Sequence, residues 1–124
     1  MDRTQFLKLI GLSSFTIFSR KTMAESVKPE THFFKDDGII PNSKYPLLIY
    51  KKVFAERNSA GAGWLEKHFA QNNWTNSWRN GVYPFHHYHS TSHEVLGVYS
   101  GSALLFLGGE KGRKIKVEAG DILV

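Results

Sequence analysis

Four of the six histidines fall within ten residues, Phe85-His86-His87-Tyr88-His89-Ser90-Thr91-Ser92-His93-Glu94. In a strand, successive side chains point to opposite faces, so His87 and His89 share one face with Cα atoms about 6.6 Å apart, and His86 and Tyr88 point the other way. Two imidazoles so placed can lean onto one ion at metal–nitrogen distances of about 2.1 Å. Ser90–His93 reads as a polar turn that returns the chain antiparallel, bringing Glu94 beside the pair. Two neutral nitrogens and one carboxylate on one face are the facial-triad chemistry of non-haem iron, and suit manganese, nickel, copper or zinc equally. The alternative for His87 and His89 is ordinary packing in a core; two histidines at i and i+2 with a glutamate five residues on argue against it. His86 reads as a surface or supporting residue rather than a ligand. His93 reads as a turn residue near the rim that could replace a ligand or shuttle protons.

Composition narrows the chemistry. The chain has 124 residues and no cysteine, which excludes disulfides, thiolate catalysis, iron–sulfur clusters and cysteine-bound zinc. A metal here must be held by nitrogen and oxygen. The length fits one domain, and 41% hydrophobic with 14% aromatic residues can fill a real core. The net charge of +5 is concentrated at the start, where Arg3, Lys8, Arg20 and Lys21 face Asp2 alone. From Glu25 onward the remaining 12 of 16 basic and 10 of 11 acidic residues give a balance of +2. Lys111, Arg113, Lys114 and Lys116 form a small basic cluster that reads as a solvated hairpin edge. No nucleic-acid partner is expected, and no phosphate-cradling loop or Ser–His–Asp arrangement is visible.

Residues 1–24 have the layout of an export signal: a polar start with positive charges, an apolar run over Leu9–Phe18, and Thr22-Met23-Ala24 ending on a small residue. The run is too short for a membrane span, which needs about 20 residues. Asp2–Lys8 also resembles a twin-arginine signal, with Thr4 where the second arginine would stand. The reading is export to the periplasm; the alternative is an N-terminal helix kept in the cytoplasm.

The remaining chain, 25–124, must supply the elements that position the triad. Thr31–Phe34 and Pro46–Phe54 read as strands, and Asn58–Gly63 as a loop. Trp64, Leu65, His68 and Phe69 share one face of a short helix over Ala62–Gln71. Strands follow at Val82–His89, Glu94–Ser100, Ser102–Leu107 and Arg113–Val117, with a glycine turn at Gly108-Gly109 and Tyr83 and Phe85 in the core. Many short strands at this spacing predict an all-β sandwich or barrel. Trp74, Trp78 and Arg79 precede the metal strand and either wall the mouth of a barrel, with Arg79 taking an anionic group, or form a packed aromatic cluster. Ile122-Leu123-Val124 follows the turn Ala119-Gly120-Asp121 and predicts an exposed apolar edge. From that edge the chain is read as a fragment of a longer one; the alternative is a short edge strand.

The segment Gly81–Gly101 resembles the first motif of the cupins: Gly81, five residues, His87, one, His89, four, Glu94, six, Gly101. Gly101 suits a turn needing positive φ. Gly120–Val124 is similar to the opening of the second cupin motif, whose histidine supplies the family's fourth ligand; no residue of this chain can take that role. Phe34–Gly38, Pro46–Lys51, Trp74–Gly81 and His86–Ser102 together resemble the uncharacterised YjlB-type cupins of bacteria. The resemblance implies a double-stranded β-helix, a jelly-roll barrel with one short helix before it, a divalent metal on His87, His89 and Glu94, and a homodimer. It implies no particular reaction. Three functional readings follow. The first is a metal-dependent enzyme on a small organic molecule, of dioxygenase or isomerase type; the second, a non-catalytic metal or small-ligand binding or sensor module; the third, an inactive truncated fragment.

Overall fold

A computed structural model describes residues 27–124. The export-signal reading of residues 1–24 lies outside the described residues. Among the described residues the fold is β-rich and antiparallel, with one helix: β1 (Glu30–His32), β2 (Leu47–Tyr50), α1 (Asn58–Gln71), β3 (Leu96–Gly97), β4 (Ser102–Leu107), β5 (Arg113–Glu118) and β6 (Ile122–Leu123). One sheet has four strands in the order β1-β2-β6-β3, and β4-β5 form a second, two-stranded sheet. All pairings are antiparallel.

Alternation explains the core. In β4, Leu105 turns inward while Leu104 faces solvent. In β5, Val117 is buried with Ile115 beside it, and Lys114 and Lys116 face out. Leu105 and Val117 meet Ile49 of β2 and Leu123 of β6, so both sheets close on one apolar layer. Gly108 and Gly109 turn the β4–β5 hairpin with φ of +89° and +83°, a region that glycine occupies without strain. Asp37 fixes a neighbouring loop to that turn, accepting bonds from the N–H groups of Ile39, Ile40 and Glu110.

Several elements differ from the sequence reading. The helix begins at Asn58, so the small polar stretch expected to be a loop is its first turn. The reason is close packing: a Cβ on Gly61 would stand 2.9 Å from the Glu56 carbonyl oxygen and 3.1 Å from Tyr99 Cβ. Gly61 lets the first turn of the helix approach the chain after β3. The expected strand Val82–His89 is not one; these residues pair with no strand among the described residues. Pro84 offers no N–H for a ladder, and a proline inside such a run demotes it. Tyr83 and Phe85, expected in the core, are exposed. Glu94–Ser100 shortens to Leu96–Gly97, although Val98 still exchanges bonds with the Gly120-Asp121 turn. Gly101 does adopt positive φ, +67°.

The expected apolar edge at Ile122–Val124 is not exposed. β6 lies between β2 and β3, Leu123 is 2% accessible, and Val124 exchanges two 2.9 Å backbone bonds with Leu48. Asp121, in the turn the sequence places before β6, is fully buried. It accepts bonds from the N–H groups of Lys52 and Glu118 at 3.0 and 2.9 Å, and pairs with the Lys51 ammonium. Burial alone would raise its pKa. The Lys51 hydrogen bond, the two N–H donors and the Lys51 charge outweigh burial and hold it below the ordinary 3.8.

Candidate metal centre

The triad sits where the irregular segment after Gly81 runs into β3. Glu94 lies two residues before β3, whose place is fixed by Leu123 opposite Leu96. Gly97 opposite Ile122 leaves room for α1: a Cβ there would come within 2.5 Å of the Leu65 side chain. Leu65 is buried in that gap, which sets the helix against the strand leading from the metal site. The predicted sharing of a face by Trp64, Leu65, His68 and Phe69 holds, since none of them is exposed. Trp64 stacks between Phe54 at 4.9 Å and His68 at 3.6 Å.

His87, His89 and Glu94 come together as the sequence predicts. One donor atom from each lies within 4.8 Å of the other two. His89 Nε2 and Glu94 Oε2 are 3.7 Å apart, and the two imidazoles lie 5.5 Å apart at 83°. Donors bound at about 2.1 Å sit roughly 3 Å from one another, so rotation of exposed side chains is enough to close the set on an ion. His87 Nδ1 faces the Phe85 carbonyl oxygen at 3.5 Å. With Nδ1–H donating there, Nε2 keeps its lone pair for a metal. The donor chemistry, two imidazoles and one carboxylate without sulfur, fits a divalent transition metal and does not select among iron, manganese, nickel, copper and zinc.

His86 and His93 stay out of the set. His86 turns to the β4–β5 hairpin, with its ring edge-on to Phe106 at 4.7 Å and Nε2 3.4 Å from Glu110 Oε1. His93 meets Tyr45 edge-on at 6.4 Å. The missed feature is an aromatic row on the ligand side: Tyr83 stacks on Phe85 at 5.2 Å, and both rings approach His87. The i, i+2 spacing of Tyr83, Phe85 and His87 carries that signal; placing Tyr83 and Phe85 in the core obscures it.

His89 and Glu94 open onto a cleft of about 500 Å³ walled by α1, Trp74 and Trp78. Arg79 lines it too, but is not a free cation. Its guanidinium grips Glu66 of α1 in a two-point pair, Nε to Oε1 at 2.8 Å and Nη2 to Oε2 at 3.1 Å. That hydrogen-bonded pair lowers the Glu66 pKa and raises that of Arg79. Nothing in the spacing around Glu66 marks it as the partner of Arg79. Lys111, in the turn before β5, and Arg113, Lys114 and Lys116 on β5 are all exposed, and the Lys114 ammonium lies 5.5 Å from the centre of the Phe106 ring. No helix among the described residues is long and apolar enough to cross a membrane.

Comparison with known proteins gives one strong likeness. No family model and no solved structure matches the chain. The chain is similar to the uncharacterized protein YjlB of Bacillus subtilis (strain 168), with 41% identity over 96 residues, covering 77% of this chain and 55% of that protein. This agrees with the YjlB-type resemblance read from Phe34–Ser102, in a chain that spans about half the length of its curated relative.

Proposed function

We propose that this chain is a metal-binding domain of cupin type, in which His87, His89 and Glu94 hold one divalent transition metal ion for chemistry on a small organic molecule. One observation carries the reading: the three residues of the cupin spacing have donor atoms within 4.8 Å of one another although they do not share a regular strand. The cupin reading brings with it a jelly-roll barrel and a homodimer. A metal with three protein ligands keeps open positions, and there supplies Lewis acidity or oxygen activation, the basis of isomerase- or dioxygenase-type reactions. The chain's own part is to orient and enclose. His89 and Glu94 face the cleft, and Trp74 and Trp78 supply aromatic walls against which a small molecule can pack. The Glu66–Arg79 pair tethers the Trp74–Asn80 stretch to α1 on one side of that space.

A second reading, a non-catalytic metal or small-ligand module, is favoured by exposure: the side chains of His89 and Glu94 are each 47% accessible, and water is not excluded from them. Metal analysis of the purified chain tests the site, with near-stoichiometric metal expected in the wild type and loss in a His87→Ala, His89→Ala double variant. Unchanged metal content in the double variant sinks the assignment. Cobalt substitution separates the two functions. An exchangeable position lets small anions perturb the cobalt spectrum, whereas a closed coordination sphere leaves it unchanged and favours the binding module.

A further inference from the structure

We infer that His86 is a positioning residue for the metal centre, pegging the Gly81–Glu94 segment to the outer face of the β4–β5 hairpin through Phe106 and Glu110. The inference rests on the metal reading of His87, His89 and Glu94, and places part of the control of that site on side chains that do not touch it.

The segment has little else to hold it. Among the described residues, no backbone hydrogen bond ties 82–95 to a neighbouring element; the ladder begins at Leu96. From Gly81 to Glu94 every residue is exposed except His86, whose side chain is 22% accessible against 47% for His89. Its ring packs edge-on against Phe106 at 4.7 Å, and its Nε2 is 3.4 Å from Glu110 Oε1. Both partners belong to a well-anchored unit. Phe106 sits opposite Lys114 in the β4–β5 register, with the Lys114 ammonium 5.5 Å from its ring centre. Glu110 donates its backbone N–H to Asp37 at 3.2 Å. At the far end of the segment the corresponding contact is weaker: His93 meets an exposed Tyr45 at 6.4 Å.

His86 is the immediate neighbour of His87. Fixing its ring on the hairpin therefore fixes the direction in which the next side chain leaves the backbone. Ligands held in place before an ion arrives bind it more tightly, because the ordering cost does not fall on the binding step. Residues that support metal ligands without touching the metal characteristically change affinity by about 10- to 100-fold when removed.

Cobalt(II) titration of the full chain, followed by absorption, tests the peg. Phe106→Ala should weaken cobalt binding by about 10-fold or more. Phe106→Tyr, which keeps the ring, should restore wild-type affinity. Leu104→Ala on the same hairpin face, 64% exposed, is the control for general damage to the hairpin and should leave affinity unchanged. An affinity within twofold of wild type in Phe106→Ala overturns the inference, and so does equal weakening in Leu104→Ala. A wild type that binds no cobalt refutes the metal reading instead. The peg is then judged in the metal-free protein by the nuclear Overhauser contact between the His86 and Phe106 rings, whose absence overturns it.

Discussion

Asp121 and Glu94 are both carboxylates, each close to a short strand of the same sheet, and they serve opposite ends. Asp121 is fully buried with a lysine and two backbone N–H groups on its oxygens. Glu94 is half exposed, and its carboxylate lies 3.7 Å from the His89 imidazole. A carboxylate with all its bonds made inside the fold specifies geometry and has nothing left for a ligand. One with open lone pairs beside two imidazoles adds little to the fold and keeps its capacity for an ion. The Gly120-Asp121 turn is correspondingly tied on every side. Gly120 bonds to Val53 and Val98, and Asp121 through its backbone to Val98 and Glu118. The Val82–Glu94 segment relies on side-chain contacts.

Replacing Asp121 by Ala should have the largest effect on stability. It takes the partner from the Lys51 ammonium, whose side chain is 35% accessible, and leaves two part-buried N–H donors unpaired, at a cost of about 3 kcal/mol. In thermal denaturation this is a fall on the order of 10–20 °C for a domain of this size. A shift of only a degree or two would show that the turn is held by its backbone bonds alone.

The same carboxylate sets an acid limb. Its folded pKa lies below 3.8, so the unfolded chain takes up the proton first as pH falls. The stabilisation is therefore complete above about pH 4 and is lost as pH drops through the lower folded value. Urea midpoints measured from pH 5 down to pH 2.5 should fall in the wild type, and fall less in Asp121→Asn. Parallel curves would assign the acid limb to other groups.

Next in size is Gly97→Ala. The added methyl would press on Leu65 in a buried gap, and overpacking of this kind costs about 1–3 kcal/mol. Pairing it with Leu65→Ala should recover part of the loss, because the two residues compete for one volume. No recovery in the double variant would mean that Gly97 is needed for its backbone rather than for the space it leaves.

These contrasts also explain what could be read from the sequence. The triad was legible because its spacing is short and local, and its residue types have few other reasons to cluster. The β4–β5 hairpin was legible because alternation and a double glycine agree over Ser102–Glu118. The strand assigned to Val82–His89 failed because alternation alone says nothing about whether a partner lies alongside, and Pro84 spoke against one. The start of α1 was hidden because Gly61 reads as a loop residue, whereas it is small for a packing reason, close approach to Tyr99, that only the fold reveals. Asp121 was hidden for the same kind of reason: a turn aspartate and a buried aspartate look alike until Lys51 is brought to it from 70 residues away.

The smallest effect on stability should come from the residues most concerned with chemistry. His87 and His89 are exposed and neither makes a ladder bond, so the His87→Ala, His89→Ala variant should unfold within about 0.5 kcal/mol of the wild type when both are metal-free. Adding metal should separate the two. An ion that binds only the folded wild type stabilises it by about 2.7 kcal/mol at a hundred times its dissociation constant, while the variant gains nothing. Urea denaturation with and without cobalt measures both differences on the same samples. Equal stabilisation of the two proteins by cobalt would move the ion elsewhere and leave Glu94 no more functional than Asp121. A large loss in the metal-free variant would mean that the histidines are part of the scaffold, and the contrast between the two carboxylates would not extend to the segments that carry them.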